Sequence, residues 1–206
     1  RLGLPEDVPV VAFVSRMIEA KNVMAFARAI GALRAQGIAC HGTMVGYGPL
    51  LDPLRTLIRE DGLGDSITVA GRVPLGEVPD ILAASDIFVT LSDGGALGNT
   101  TLEAMAAGLG LVALESDPAR GIDVTTDEAV PADVMIRIPR RDIASALTQV
   151  LAPLLADPER LAAQQAKTRE FARTFLVSWE ERIGRELSLL ASLARRETEP
   201  EGNATE

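Results

Sequence analysis

The strongest constraint on this chain is the alternation of short, continuously apolar runs with helical patterns. Residues 8–14 read Val-Pro-Val-Val-Ala-Phe-Val, apolar throughout rather than at every second position. A strand with one wet face alternates, whereas a strand covered on both faces does not, which is the condition inside a parallel sheet. Runs at 38–45, 67–70, 87–91, 110–114 and 134–138 read as further strands. Helices are expected between them at 22–36, ended by Gly37, at 51–61, closed by Gly62 and Gly64, at 74–84, and from Thr100 onward. A long irregular connection separates the fifth strand from the sixth. Helical spacing then covers 141–155 and 157–196, with Pro158 just inside the second start, where proline is tolerated. Phe171, Phe175 and Trp179 fall at helical spacing and read as anchors of that last helix. This order implies an α/β fold, a doubly wound parallel sheet with helices on both faces, in one domain over 1–196. The polar tail, 197–206, is expected to be disordered.

Composition narrows the function classes. A chain of 206 residues can bury about 70% of its extended surface. Its 47% hydrophobic content with only 3% aromatics makes that core aliphatic. The formal net charge of −9 argues against nucleic acid or an anionic membrane as the main partner. One cysteine, Cys40, leaves no internal disulfide and fits a reducing, cytoplasmic compartment. One histidine, His41, beside or inside the second strand, reads as structural and leaves little for a His-based triad or multi-His metal site. No clustered Asp-x-Asp motif occurs, so neither a metal nor another cofactor is expected. No apolar run reaches the roughly 20 residues of a membrane span. Arg1 is not a natural start, so the segment is expected to come from a longer protein.

In doubly wound sheets ligands bind beyond the carboxyl ends of the strands, where strand order reverses. Four turns leave strand ends here, at 15–21, 46–49, 71–74 and 92–100, and each carries suggestive residues. The last runs into Leu97-Gly98-Asn99-Thr100-Thr101-Leu102-Glu103, a strand–turn–helix start that aims backbone N–H groups and the positive helix end at a cleft. Thr100 and Thr101 can cap the helix or face a ligand. Glu103 is either a ligand acceptor or a structural cap, and a carboxylate buried among Leu102, Ala104 and Met105 would be costly without a partner. Arg16 and Lys21 frame the first turn, either as a diphosphate clamp or as solvated charges around Glu19. Gly46 and Gly48 serve either close backbone approach to a ligand or a tight turn, and they do not complete a dinucleotide fingerprint. Arg72 and Val73 follow a strand end, where backbone groups can meet a base edge and Arg72 can stack on it. Asp93 lies on the cleft turn, while Asp86 reads as a local cap or pair.

Taken in order, several segments resemble the carboxyl-terminal, donor-binding half of the GT-B glycosyltransferases of family 4, the group 1 glycosyltransferases. These are Val14-Ser15-Arg16 with Lys21-Asn22, Val45-Gly46-Tyr47-Gly48-Pro49-Leu50, Gly71-Arg72-Val73, Ala84-Ser85-Asp86-Ile87-Phe88-Val89, the stretch 98–108, and Ser178-Trp179-Glu180. The resemblance runs from about residue 9 to 190. It implies that Arg16 and Lys21 bind the donor's diphosphate, and that Gly98, Asn99 and Thr100 offer amides to phosphate and sugar. Glu103 matches the second glutamate of the E-x7-E motif, which holds ribose hydroxyls, and Arg72-Val73 falls where the base is recognised. Gly46, Asp93, Gly95 and Leu97 complete the expected donor-binding set.

Two departures stand out. The first glutamate of that motif falls at Gly95, with Asp93 the only nearby substitute in the sequence. The loop after Glu115 reads Asp117-Pro118-Ala119-Arg120-Gly121 instead of the usual Gly-Gly-x-x-Glu run. The resemblance implies a retaining, metal-independent transferase acting on a nucleotide-diphosphate sugar. Its acceptor site lies in an amino-terminal half, so this stretch alone is expected to bind the donor but transfer poorly. Peripheral membrane association of the full-length protein stays open. The alternatives are a degenerate, non-catalytic nucleotide-sugar-binding module and a sugar-nucleotide epimerase on the same scaffold.

Overall fold

The computed structural model describes residues 3–5 and 7–198. Six parallel strands form one sheet in the order β3-β2-β1-β4-β5-β6. They are β1 (Val10–Val14), β2 (His41–Val45), β3 (Ile67–Gly71), β4 (Ile87–Thr90), β5 (Gly110–Leu114) and β6 (Met135–Ile138). The central strands are buried nearly throughout, which is why their sequences are continuously apolar. β1 starts two residues later than the apolar run suggests. Pro9 cannot donate to a ladder on both sides of a central strand, and only its carbonyl is used, accepting from His41 N at 2.9 Å.

The helices are α1 (Val23–Ala35), α2 (Leu51–Glu60), α3 (Val78–Ala83), α4 (Asn99–Ala106), α5 (Val124–Ala129), α6 (Ile143–Leu155), α7 (Pro158–Phe175) and α8 (Trp179–Thr198). α1 packs on α2 and α6, and α3 on α4. The largest core knits Phe13, Met17 and Met44 of the sheet side to Phe26, Ile30 and Leu33 of α1 and to Leu147 and Leu151 of α6. Phe13 and Phe26, the aromatic pair at its centre, stand 5.0 Å apart in a tilted arrangement.

Three expectations are corrected. Residues 38–40 are not strand: Ile38 N donates to Leu33 O, 3.1 Å, finishing α1 around the left-handed Gly37. The connection after β5 is not irregular throughout but holds α5, whose only buried residue is Thr126, so no apolar period announces it. The helix expected over 157–196 is two helices. The Ser178 hydroxyl accepts from Glu181 N at 3.1 Å and caps the start of α8. Phe171 and Phe175 therefore lie on α7, half-buried, whereas Trp179 opens a different helix and its side chain lies outside the described residues.

The chain divides into two compact units, Arg1–Ala172 and Arg173–Glu206. The expected tail at 197–206 begins inside α8, and its remainder, 199–206, lies outside the described residues.

Candidate functional site

Strand order reverses between β1 and β4, and the turns leaving those two strands are fastened to each other. Lys21 Nζ donates to Ser92 Oγ at 2.7 Å. Asn22 Nδ2 donates to Leu91 O at 2.9 Å and to Asp93 Oδ1 at 3.1 Å, and Asp93 N donates to Ala20 O at 2.9 Å. Asn22 can do this because it sits in the left-handed region, φ 50°, which asparagine tolerates better than most residues. Burial holds the Lys21 ammonium below its ordinary pKa, and the neighbouring Arg16 pushes the same way, while Asp93 partly restores it.

A second pair of turns lies on the other side of β1. The β2–β3 register shifts between Met44 and Val45, which places Val45 opposite Gly71. Gly46 N then donates to Gly71 O at 2.8 Å. Gly46 and Gly48 both have positive φ, 141° and 154°. A β-carbon on Gly46 would stand 1.7 Å from Ser15 O, and one on Gly48 2.4 Å from Met17 O. These glycines therefore let the β2 turn lie against the β1 turn that carries Arg16.

The four turns enclose a cleft of about 410 Å³ lined by Arg16, Gly46, Tyr47, Arg72, Val73 and Thr100, with Val14, Ser15, Val45, Leu75 and Val78 completing its walls. Of the residues expected from the sequence, Arg16, Gly46, Arg72, Val73 and Thr100 share this cleft. Lys21, Asp93, Gly95, Leu97, Gly98, Asn99 and Glu103 are not among its walls and lie on the adjoining turn and helix.

The opening of α4 differs in detail from expectation. Gly98 is the N-cap, but its own amide already donates to Ala96 O at 3.0 Å. The first intrahelical bond is Leu102 N to Gly98 O, so the amides offered to a ligand are those of Asn99, Thr100 and Thr101, which no side chain caps. The Thr101 hydroxyl is buried and bonds to Ala96 O at 2.5 Å, leaving Thr100 to face the cleft. Glu103 is exposed, so no burial cost presses it to find a partner, contrary to the reasoning from its apolar neighbours. Asp86 is structural but its partner is not local: its carboxylate accepts from Val10 N at 2.8 Å at the opposite end of the sheet. His41 is buried, with Nε2 2.8 Å from Thr68 Oγ1.

Two residues at the rim escape sequence reasoning because they lie far from the turn in the chain. Arg140 donates through Nε to Glu115 O at 2.7 Å and pairs with Asp93 at 3.6 Å, gripping the β4 turn from the β6 side. Asp123 is the second. A β-carbon at Gly95 would lie 3.1 Å from its Oδ1, and Gly95 has φ 126°. The Asp123 side chain is only 4% exposed, bonded to the Thr126 hydroxyl and paired with Arg137 at 3.0 Å. A carboxylate therefore stands beside Gly95, supplied from another loop, and Asp93 is not the only acid near it. Among the described residues no group of three or more His, Cys, Asp or Glu is placed to hold a metal ion. No helix among them is long and apolar enough to cross a membrane.

Comparison with known proteins shows the family and the fold. The sequence model of the family described as Glycosyl transferases group 1 matches residues 8–157. The chain is 30% identical over 162 residues to a 2-deoxystreptamine N-acetyl-D-glucosaminyltransferase of Streptomyces fradiae, covering 77% of this chain and 37% of that protein. It is 31% identical over 207 residues to a GDP-mannose-dependent alpha-(1-6)-phosphatidylinositol monomannoside mannosyltransferase of Mycolicibacterium smegmatis, covering 96% of this chain and 50% of that one. In fold it is similar to the pneumococcal O-GlcNAc transferase GtfA, solved in complex with UDP and GlcNAc. That similarity has a TM-score of 0.69 at 20% identity and covers 83% of this chain and 33% of that one. The chain thus spans about half or less of the length of these relatives.

Proposed function

We propose, from the premise that this chain belongs to the group 1 glycosyltransferases, that its cleft binds the nucleotide-diphosphate sugar of a retaining transferase. One observation carries the reading: the turns after β1 and β4 are fastened together at the reversal of strand order. That sets Arg16 and Thr100 in one cleft, with Lys21 and the uncapped amides of Asn99 and Thr101 on the adjoining turn and helix start. The solved relative that holds UDP supports a nucleotide in a fold of this kind.

The chemistry follows from charge. When a sugar leaves a nucleoside diphosphate, its anomeric carbon–oxygen bond breaks and the diphosphate gains negative charge. Lys21 and Arg16 are already close, and Lys21 is partly stripped of water, so an arriving diphosphate relieves their repulsion. Groups fixed before the reaction need no reorganisation as charge develops, and one well-placed donor is worth about 3 kcal/mol of barrier. Arg16 and Lys21 are the catalytic cations in this reading. Gly46, Arg72, Val73, Asp93, Gly95, Leu97, Gly98, Asn99, Thr100 and Glu103 form the donor-binding surround, with Glu103 available to ribose hydroxyls. The acceptor hydroxyl and the residues that activate it come from outside this stretch, so these residues alone bind donor and transfer poorly. No metal or other cofactor is invoked, and the reaction is placed in the cytoplasm.

Calorimetric titration with UDP, GDP and ADP tests the clamp. Replacing both Arg16 and Lys21 with alanine should weaken binding at least about a hundredfold, since two charge-assisted contacts are each worth about 1.5–3 kcal/mol. Equal affinity in the double variant removes the clamp. A second reading, a binding module without transferase activity, draws support from Gly95. Donor hydrolysis by the intact protein separates the two readings.

A further inference from the structure

Tyr47 is half-exposed in the wall of the cleft, and the Arg72 guanidinium carbon lies 4.3 Å from the centre of its ring. The backbone fixes this pairing. Each residue directly follows a glycine at a strand end, Tyr47 after Gly46 and Arg72 after Gly71, and the two glycines are joined by the 2.8 Å bond from Gly46 N to Gly71 O. Tyr47 is also held from the far side, where its carbonyl accepts from Met17 N at 2.9 Å. The glycines on either side of it are locked by the close approach of Ser15 O and Met17 O. The turn therefore fixes the Cα positions from which the Tyr47 ring and the Arg72 guanidinium meet.

The cleft mixes polar walls, among them Arg16, Arg72 and Thr100, with apolar ones, among them Val73, Leu75 and Val78, and Leu75 is 89% exposed. No described residue of this chain covers that apolar side chain. A guanidinium whose one face rests on an aromatic ring presents its other face as a flat platform, and nucleobases stack on such planes.

We propose that Tyr47 is a positioning residue of the donor site: it backs the Arg72 guanidinium so that the nucleobase stacks on the opposite face, against Val73 and Leu75. This rests on the reading of the cleft as a nucleotide-diphosphate-sugar site. Stacking of this kind tolerates any base, because every base has a π face. The platform therefore supplies affinity for a nucleoside in general, and discrimination between bases belongs to other contacts.

The test compares nucleoside diphosphates with inorganic pyrophosphate, which lacks the base, by calorimetry on the intact protein. Tyr47→Ala should weaken UDP, GDP and ADP binding alike, by about three- to tenfold, and leave pyrophosphate within twofold. Tyr47→Phe should restore nucleotide affinity, since the ring and not the hydroxyl does the backing, while Tyr47→Leu should not. Tyr47 is the only tyrosine in the chain, so its ring protons give a site-specific NMR signal. That signal should move with UDP and not with pyrophosphate. A thermal melt of each variant checks that the turn still folds. The assignment is overturned if Tyr47→Ala binds nucleotides as tightly as the unaltered protein. It is equally overturned if pyrophosphate affinity falls in parallel, which would place the damage in the turn. Should the unaltered protein bind neither nucleotide nor pyrophosphate, the donor-site reading fails with it.

Discussion

Replacing Gly46 with alanine is the sharpest probe of how the fold places Arg16. The added β-carbon would sit 1.7 Å from Ser15 O, so that oxygen must withdraw by well over an ångström to reach ordinary contact. The backbone at φ 141° also lies in a region that L side chains rarely adopt, at a cost of about 1–3 kcal/mol. Withdrawal strains three bonds between the turns: Ser15 N to Val45 O at 2.9 Å, Met17 N to Tyr47 O at 2.9 Å and Leu50 N to Met17 O at 3.0 Å. Each is worth about 1 kcal/mol, so the total loss should be about 4–6 kcal/mol. Against the stability of about 5–15 kcal/mol typical of native domains, that is a large fraction. With a urea slope of about 2 kcal/mol/M, the unfolding midpoint should fall by about 2–3 M at unchanged slope. Gly64→Ala is the control, having no neighbour within 4 Å and no positive φ, and it should change stability by less than about 1 kcal/mol. If Gly46→Ala unfolds within about 0.5 kcal/mol of the unaltered protein, the close approach of the two turns is not what the glycine serves.

Other outcomes follow from single contacts. Gly95→Glu, which would complete the E-x7-E motif, should lower stability instead of improving donor binding, because it forces a side chain at φ 126° onto the Asp123 carboxylate; a thermal melt and a UDP titration read both effects. Burial holds His41 below its ordinary pKa, only partly opposed by its bond to the Asp65 backbone. The unfolded chain therefore binds this proton more readily, and stability should fall as pH drops below about 6.5 toward the folded value, a slope that His41→Gln should flatten in urea titrations at pH 5 to 7.5. Burial pushes the Cys40 thiol up to about 11, so alkylation at pH 8 should be far slower in the folded protein than in urea, as mass spectrometry would show.

Most of the scaffold was legible before any coordinates because a strand buried on both faces must be apolar along its length. The runs at 87–91 and 110–114 fall within a residue of β4 and β5 for that reason. Boundaries slipped where a local backbone rule outweighed hydropathy, at Pro9 before β1 and at Gly37 after α1. The break at 176–178 had a signal of its own, Ser178 followed three residues later by Glu181, and helical spacing on both sides concealed it. α5 had almost none, since a helix with one buried threonine leaves no apolar stripe to read.

The site divides along the same line. Its residue types, two cations on the first turn and a glycine-bearing helix start after β4, are legible in the sequence because each group lies within a single short turn. Which turns touch was decided by the sheet: β1 lies between β2 and β4, so the turn at 15–21 meets both the turn at 46–49 and the turn at 92–98, although some thirty to eighty residues separate them. Long-range partners had no local trace at all. Asp123 beside Gly95, Arg140 on Asp93 and Tyr47 beneath Arg72 are products of register, since only the packed sheet fixes which strand ends are neighbours and how far each protrudes.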